Sequence, residues 1–279
     1  MGTLFVVSTP IGNLDDLTIR AQKTLAECDA VLAEDTRRTR QLLSHLGLSK
    51  PLRTLNAHAH ASLVDAIARE LVDDDKRYAL VSDAGTPLVS DPGAELVRAV
   101  IAAGGTVVPI PGASAVLTAL AGSGLATNAF RFVGFLPRSG SERGDALAKI
   151  VDTSEAVVLF EAGNRARETI SDLAARMPAR ACAIGRELTK LHEEFLRGSL
   201  EELAASIDED LRGEVTIVLG AHVVARSSLI DELRLCARID EELAKGLHAK
   251  EVADIVAAWS GLPRREIYAR VVARKSNRA

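Results

Sequence analysis

The sequence has few of the residues on which several common protein classes depend. Only 3% of its 279 residues are aromatic, which argues against a platform of several rings for stacking bases. Its three cysteines, Cys28, Cys182 and Cys236, lie far apart and form no CxxC pair. A disulfide framework or a zinc finger is therefore not expected, and a reducing cytoplasm fits this cysteine usage.

Long apolar runs and an excess of positive charge are also missing. No apolar run approaches about 18 residues, and residues 1–10 lack the basic and apolar regions of a signal peptide. The formal net charge is −4, so there is no bulk cationic field, although a local basic patch is still allowed. Apolar residues make up 47% of the chain, enough to bury a sizeable core. We expect a globular cytoplasmic protein that does not enter a membrane.

The first 120 or so residues alternate short apolar runs with amphipathic stretches of helical period. Such runs are typical of strands buried on both faces of a parallel sheet, and they lie at 4–7, 30–33, 52–55, 78–81 and 107–110. Five strand–helix units in a row predict an α/β fold with an open parallel sheet and helices on both faces. Asp91 followed by Pro92 predicts the N-cap and first turn of one of these helices.

The pattern changes after a small, polar segment at 122–128. Strand-like runs continue at 130–136, 157–160, 181–184 and 215–219 with fewer clear helices between them, which predicts a second domain with a mixed sheet. From about Ser227 the strands disappear and helical stripes follow. The predicted domains are therefore 1–122, 123–226 and a helical tail at 227–279.

Three predicted strand ends are rich in Gly, Pro, Ser, Thr and Asp, at 8–13, 82–87 and 109–114. Such loops also form ordinary tight turns, but ligands of doubly wound sheets bind beyond the carboxyl ends of the strands. The first loop has neither GxGxxG nor GxxxxGK[ST], so an NAD enzyme and a P-loop nucleotide hydrolase are both disfavoured.

The same loops carry no lysine or arginine. Asp83 could accept hydrogen bonds from hydroxyls or an amine, and backbone N–H groups after Gly112 could receive a carboxylate. A pocket of this kind suits a small zwitterionic nucleoside better than a polyphosphate.

Several strings of this sequence match a known family in order along the chain. They are TPIGNL at 9–14, AEDTR at 33–37, VSDAGTP at 81–87, DPG at 91–93, GFLP at 134–137, FE at 160–161, Arg165, RELTK at 186–190 and GE at 213–214. With the helical tail, they resemble the ribosomal RNA small subunit methyltransferase I family of the tetrapyrrole methylase superfamily. The resemblance implies S-adenosylmethionine-dependent methylation of a cytidine ribose 2′-oxygen in the decoding region of small-subunit (16S) rRNA. It also implies a two-domain tetrapyrrole-methylase-like fold, a cofactor cleft between the two α/β domains and a homodimer acting on rRNA within the 30S subunit.

The strand-end loops and the resemblance together nominate the site residues. The residues expected to bind the cofactor are Pro10, Ile11, Gly12, Asp83, Gly85, Thr86, Gly112, Ser114, Glu161 and Glu214. A ribose hydroxyl is a poor nucleophile while protonated, so a general base is expected, and Asp35 or Glu187 is the predicted one. The residues expected to contact RNA are Arg37, His58, Arg165, Arg186, Lys190, Arg264, Arg265 and Arg270.

Two histidines raise the question of a metal site. His58 and His60 share a face of an extended segment, but no third ligand is close in sequence, so no metal is expected. Of the two, only His58 falls on a histidine of the family's usual H-x-H-N stretch.

The end of the chain is basic. The last 20 residues carry six Lys and Arg against Glu266 alone. Such density favours phosphate contacts, and the alternatives are a solvated helix end or a dimerisation arm.

Two other functions remain open on the sequence. One keeps the superfamily but changes the acceptor to a porphyrinoid or a modified histidine on a protein. The other is a non-catalytic RNA-binding or ribosome-assembly protein on the same fold. The basic tail and the EDTR and RELTK strings favour the rRNA enzyme over the first, and the intact strand-end loops favour it over the second.

Overall fold

The structure is a computed structural model that describes residues 2–56, 60–207, 211–222, 232–260 and 262–276. The chain forms two compact units, Met1–His222 and Val223–Ala279. The first unit contains two five-stranded sheets, and the described part of the second is helical. None of the helices in the described ranges has the length and apolarity needed to cross a membrane.

The first sheet is entirely parallel, as predicted. Its strands are β1 (Thr3–Val7), β2 (Ala30–Ala33), β3 (Leu52–Thr54), β4 (Arg77–Val81) and β5 (Thr106–Ile110), in the spatial order β3-β2-β4-β1-β5. Because β1 lies between β4 and β5, the loops that follow these three strands meet at one edge. The predicted strands therefore agree with the observed ones to within a residue.

Helices cover both faces of this sheet. They are α1 (Ile19–Glu27), α2 (Thr36–His45), α3 (Ala61–Asp73) and α4 (Ala94–Ala102), with a 3₁₀ turn at Leu14–Asp16. Leu71 of α3 and Leu96 of α4 pack against Leu80, whereas Leu25 of α1 and Leu43 of α2 belong to the core on the opposite face. Burial on both faces explains why the strands are continuous apolar runs rather than alternating ones.

The second sheet is mixed. Its strands are β6 (Phe130–Phe135), β7 (Ala156–Ala162), β8 (Ala181–Arg186), β9 (Glu194–Ser199) and β10 (Glu214–Leu219), in the order β6-β7-β10-β8-β9. Only β6 and β7 pair in parallel, and the other neighbours are antiparallel. The predicted mixed sheet is confirmed, and β9 is an additional edge strand that the sequence patterns did not indicate.

Four helices pack on the second sheet: α5 (Ala115–Ser123), α6 (Gly140–Val151), α7 (Gly163–Ala174) and α8 (Leu200–Ser206). Leu147 of α6, Ile170 of α7 and Leu203 of α8 belong to one core cluster. Val116 and Leu120 of α5 instead join Val218 in a separate cluster. Helix α5 thus packs with the second sheet although most of it lies before the expected boundary at 122. That boundary stays a prediction.

The second unit is a three-helix unit in its described part. Its helices are α9 (Glu232–Ala244), α10 (Ala249–Ser260) and α11 (Arg264–Ser276). Buried side chains from all three form its core, namely Leu235, Ile239, Val252, Val256, Ile267 and Val271. The helical character predicted for the tail is confirmed.

Candidate active site

The three Gly- and Pro-rich loops predicted to form a site are bonded to one another. Thr9 and Gly85 exchange backbone hydrogen bonds of 2.8 and 3.1 Å, which joins the loops after β1 and β4. The Ser8 and Thr86 hydroxyls lie 3.0 Å apart, and the Thr86 hydroxyl donates to the Ala113 carbonyl at 3.1 Å. The loops after β1, β4 and β5 therefore form one continuous surface.

A cleft of about 340 Å³ opens beside this surface. That volume lies in the usual range of small-molecule sites. Seven of the ten residues expected to bind the cofactor line it, namely Ile11, Asp83, Gly85, Thr86, Ser114, Glu161 and Glu214. The other wall comes from β7 and β10 of the second sheet, which are paired so that Val215 lies opposite Glu161.

The other three expected cofactor residues do not line the cleft. Gly12 lies against the aliphatic stem of Lys190, where a Cβ would overlap the Lys190 side chain. Gly112 lies against Ser8, and a Cβ there would be 2.9 Å from the Ser8 Cβ. Pro10 lies in the loop after β1, as Gly12 does, but it is not among the residues that line the cleft. Both glycines therefore allow close approach of backbone and side chain behind the cleft.

Two aromatic rings contribute to the second wall. Phe160 packs against Phe135 with a centroid separation of 5.5 Å, and both rings line the cleft. Phe135 is 57% exposed, an unusual state for a large apolar side chain. The sequence-based site omitted it, although Phe135 falls within the GFLP string that carries the family resemblance.

Asp83 is held in place from the first sheet. Its Oδ1 accepts the Asp35 backbone N–H at 3.1 Å, and the Arg38 Nε lies 3.7 Å from its Oδ2. Arg38 also lines the cleft and was missed in the sequence, where it is one of two adjacent arginines. Its place on the first turn of α2 directs it to the strand end that carries Asp83.

Glu161 is a buried carboxylate with every oxygen bonded. Its Oε1 accepts the Ala162 backbone N–H at 3.0 Å and lies 3.3 Å from the Arg165 guanidinium, while its Oε2 accepts the Thr169 hydroxyl at 2.7 Å. Arg143 extends this network by donating to the Thr169 oxygen at 3.1 Å. A buried polar group is stable only when it is hydrogen-bonded, and these bonds hold Glu161 in one position.

Asp35, the first predicted general base, lies outside the cleft lining. It is the N-cap of α2, and its carboxylate accepts the backbone N–H and the guanidinium of Arg37 at 2.8 and 3.0 Å. The hydrogen bond from the Arg37 side chain lowers the pKa of Asp35. Its local role is thus to begin a helix and hold an arginine that is 83% exposed.

Glu187, the second predicted base, is bonded to a cation. Its Oε1 accepts the Lys190 ammonium at 2.9 Å and the Glu214 backbone N–H at 3.2 Å. The hydrogen bond from Lys190 lowers the pKa of Glu187. Lys190 bridges to Glu214 as well, at 3.0 Å, so these three side chains form a cluster, and Glu214 is its member that lines the cleft.

Asp91 lines the cleft although the sequence predicted a helix cap for it. That prediction is wrong, because α4 begins at Ala94 and its N-cap is Gly93. Gly93 has a φ of +117°, a conformation that glycine adopts far more easily than other residues. Burial, together with the negative charges of Glu34 and Asp83, raises the pKa of Asp91 to about 6, against a lowering by the Ser82 hydrogen bond. Sequence position alone carries no signal for such an environment.

Backbone strain marks both walls. Leu88 and Ser90 have φ of +74° and +66° beside Asp91, and Glu187 and Thr189 have φ of +50° and +66° on the other wall. Residues other than glycine seldom have a positive φ, and backbone strain of this kind clusters at functional sites.

The predicted RNA-contacting residues differ in their surroundings. Arg165 donates to the Pro137 carbonyl at 3.2 Å as well as pairing with Glu161, and Arg186 pairs with Glu194 at 2.8 Å. In the helical unit, Arg264 pairs with Asp254 and Arg270 with Glu266. Arg265 is exposed and has no ion-pair partner among the described residues. The positive charge of the tail is therefore partly neutralised within the unit itself.

The histidine prediction lies partly outside the described residues. His58 is not among them, and His60 is the residue before α3. Within the ranges that the structure describes, no group of three or more His, Cys, Asp or Glu side chains is arranged to hold a metal ion.

A family model described as Tetrapyrrole (Corrin/Porphyrin) Methylases matches residues 3–204 of this chain. Solved structures share the fold. A diphthine synthase aligns with a TM-score of 0.60 and 18% identity, covering 80% of this chain and 92% of the other. A uroporphyrin-III C-methyltransferase from Thermus thermophilus, complexed with S-adenosylhomocysteine, aligns with a TM-score of 0.55 and 22% identity over 81% and 99% of the two chains. The fold and the strand-end cleft thus define a protein of the tetrapyrrole methylase class.

Closer relatives carry one name, Ribosomal RNA small subunit methyltransferase I. The protein of Halalkalibacterium halodurans is 40% identical over 96% of this chain and 93% of its own length. That of Xylella fastidiosa strain Temecula1 is 43% identical over 96% and 98%. This chain belongs to the ribosomal RNA small subunit methyltransferase I family.

Proposed function

We propose that this protein is an S-adenosylmethionine-dependent methyltransferase that modifies the 2′-oxygen of a cytidine ribose in the decoding region of small-subunit rRNA. Family membership supports the class of reaction and of substrate. The choice of the cytidine 2′-oxygen rests on the sequence resemblance. The structural observation that carries the proposal is the cleft at the strand ends, whose lining suits a cationic nucleoside.

The charges of the cleft fit the proposed cofactor. Among the described residues, four carboxylates line it, Asp83, Asp91, Glu161 and Glu214, and Arg38 is the one cation. A site for a polyphosphate needs the opposite balance, a cluster of cations or a glycine-rich phosphate loop. S-adenosylmethionine, when bound, supplies an electrophilic methyl group on a positively charged sulfur, and acidic surroundings favour that charge.

The residues of the chain bind and orient in this proposal. Asp83 and the backbone of the Gly85–Thr86 turn hold polar groups of the cofactor, and Ile11 with the Phe160 ring covers its apolar parts. Holding the donor and the acceptor in line can remove several kcal/mol of the barrier, about 7 or more in favourable cases. Arg37, Arg186 and the helical unit offer exposed or half-exposed guanidinium groups for RNA phosphates.

A transfer assay tests the proposal. Purified protein is incubated with methyl-labelled S-adenosylmethionine and, in separate reactions, immature 30S subunits, free rRNA and a porphyrinoid. Label that appears in RNA and maps to a cytidine 2′-oxygen supports the proposal. Label on a base or on the porphyrinoid contradicts it, and cofactor binding without transfer to any acceptor supports a non-catalytic RNA-binding protein instead.

A matched pair of substitutions on α5 tests the position of the cofactor. Ala115 lines the cleft, whereas Leu117 on the same helix is 58% exposed and does not line it. Ala115→Trp fills the cleft and should abolish S-adenosylhomocysteine binding in calorimetry, and Leu117→Trp should leave it unchanged. Equal affinities in two folded variants would place the cofactor elsewhere.

The proposal extends to the assembly and the location of the protein. A homodimer acting on the 30S subunit in the cytoplasm follows from the family resemblance. Light scattering coupled to size-exclusion chromatography measures the oligomeric state. The rates of methyl transfer to 30S subunits and to naked rRNA show which of the two is the preferred acceptor. A monomer with equal activity on both substrates would contradict this part.

A further inference from the structure

Four carboxylates line the cleft in the described part of the chain, and three of them are already paired with cations or have both oxygens used as hydrogen-bond acceptors. Asp83 accepts a backbone N–H and lies beside Arg38. Both oxygens of Glu161 accept hydrogen bonds. Glu214 is paired with Lys190. Each of these three carboxylates is thus already engaged with another group of the protein.

Asp91 differs from these three carboxylates, because it has neither a cation partner nor a charged hydrogen-bond donor among the described residues. No cation lies within ion-pair distance of it among the described residues, and the group that bonds its carboxylate is the Ser82 hydroxyl, which is neutral. The charged groups that face it are acidic on the first sheet, Glu34 at the end of β2 and Asp83 after β4. Arg38, Glu161 and Glu214 complete the charged lining of the cleft, from α2, β7 and β10.

Asp91 and the exposed ring of Phe135 line the same cleft, and the residues that precede them in the chain approach each other. Ser90 and Gly134 are in contact, because a Cβ on Gly134 would lie 3.1 Å from the Ser90 hydroxyl oxygen. The residues that follow these two in the chain, Asp91 and Phe135, both line the cleft. A flat ring such as a nucleobase stacks on an exposed phenylalanine, which brings its ribose to the segment that carries Asp91.

We infer that Asp91 is the catalytic residue that accepts the proton of the acceptor hydroxyl, with the acceptor nucleobase stacked on Phe135. This inference rests on the proposed function. The acceptor oxygen forms a bond to the methyl carbon, and its proton passes to the Asp91 carboxylate. The carbon–sulfur bond breaks, and its electron pair stays on the sulfur, which becomes neutral. The protonated Asp91 then releases the proton to water.

Three variants and two readouts test the inference. Asp91→Asn removes the acceptor without changing size, and Asp145→Asn makes the same change at an exposed site on α6. Glu34→Gln removes a negative charge that raises the Asp91 pKa. Single-turnover methyl transfer to rRNA is measured from about pH 5 to about pH 9 at saturating cofactor, and S-adenosylhomocysteine affinity is measured by calorimetry.

The wild-type rate should rise with pH through about 6 and stay level above it, because the ionised form of Asp91 accepts the proton. Asp91→Asn should lose about 10²- to 10⁴-fold in rate and lose the rise near pH 6, with unchanged S-adenosylhomocysteine affinity. Glu34→Gln should move the rise to lower pH. Asp145→Asn should match the wild type in every measurement.

Two results would overturn the inference while leaving the proposed function intact. One is an Asp91→Asn variant that keeps the wild-type rate and pH profile. The other is a variant whose S-adenosylhomocysteine affinity falls as far as its rate, since Asp91 would then hold the cofactor. A wild-type protein that transfers no label to RNA overturns the proposed function itself, and the inference with it.

Discussion

At the scale of single residues, the groups around each carboxylate decide the direction in which its pKa moves. Asp35 and Glu187 are each bonded to a neighbouring cation, and both have lowered pKa values. Asp91 is the reverse case, because burial raises its pKa. Their surroundings thus move the pKa values of carboxylates in one protein in opposite directions.

The raised pKa of Asp91 predicts a stability effect. Its pKa is 3.8 when unfolded and about 6 when folded, so folding favours the protonated form. The contribution of Asp91 to the free energy of unfolding is therefore fully present below about pH 4 and is lost as the pH rises through 6. Asp91→Asn should raise the free energy of unfolding by up to about 3 kcal/mol above pH 7 and by nothing below pH 4. Urea unfolding at both pH values measures this, and a gain independent of pH would contradict it.

Thr169 supplies a second residue-scale prediction. Its buried hydroxyl donates to Glu161 and accepts from Arg143. Thr169→Val removes both bonds while keeping the shape, and it should lower the free energy of unfolding by about 1–3 kcal/mol. Thr169→Ser keeps the hydroxyl and loses only a buried methyl group, about 1 kcal/mol. Equal urea midpoints for the two variants would mean that the hydroxyl contributes nothing.

At the scale of elements, helix starts position the cleft wall. Helix α7 begins at Gly163, whose backbone N–H donates to the Gly213 carbonyl at 3.0 Å. A Cβ on Gly163 would overlap the Leu211 carbonyl and lie 2.8 Å from that of Gly213. The 211–213 segment leads into Glu214 and the cleft, so it can approach α7 only because residue 163 has no side chain.

Two glycine substitutions on neighbouring helices should therefore have opposite effects. Gly163→Ala should lower the free energy of unfolding by about 1–3 kcal/mol and weaken S-adenosylhomocysteine binding, because the 211–213 segment must move. Gly144→Ala, in the interior of α6 with open space around it, should gain about 0.5–1 kcal/mol and leave binding unchanged. Thermal unfolding and calorimetry measure both, and losses of equal size would refute the role of the Gly163 contact.

At the scale of the whole molecule, the chain has two compact units and one tryptophan. Trp259 lies on α10 of the helical unit, 47% exposed, with the Arg238 guanidinium 5.9 Å from its ring. Its fluorescence therefore reports on Val223–Ala279, whereas far-ultraviolet circular dichroism is dominated by the larger unit.

We expect the two signals to change at different urea concentrations, because separate cores unfold as separate cooperative units. Trp259→Phe should remove the fluorescence transition and leave the other in place. Coincident transitions would instead show that the two units unfold together.

Much of the fold follows from local sequence patterns. The strands of the first sheet are apolar runs buried on both faces, and such a run is visible without any tertiary information. The sequence patterns did not predict strand β9, because Glu194–Ser199 is a half-exposed edge strand with charged residues and no continuous apolar run. The Gly- and Pro-rich loops were recognisable for a similar reason, since residues that permit tight turns are also local features.

Local sequence therefore predicted the two sheets, the helical tail, the family and most of the loops that line the cleft, because periodicity and motifs need only neighbouring residues. Tertiary structure alone decided which carboxylate is free to take a proton. Arg37 and Lys190 bond Asp35 and Glu187, while Asp91 is partly buried near Glu34 and Asp83 and lines the same cleft as Phe135 from the second sheet. A pKa depends on burial and on charges brought together from distant parts of the chain, and no sequence pattern records those distances.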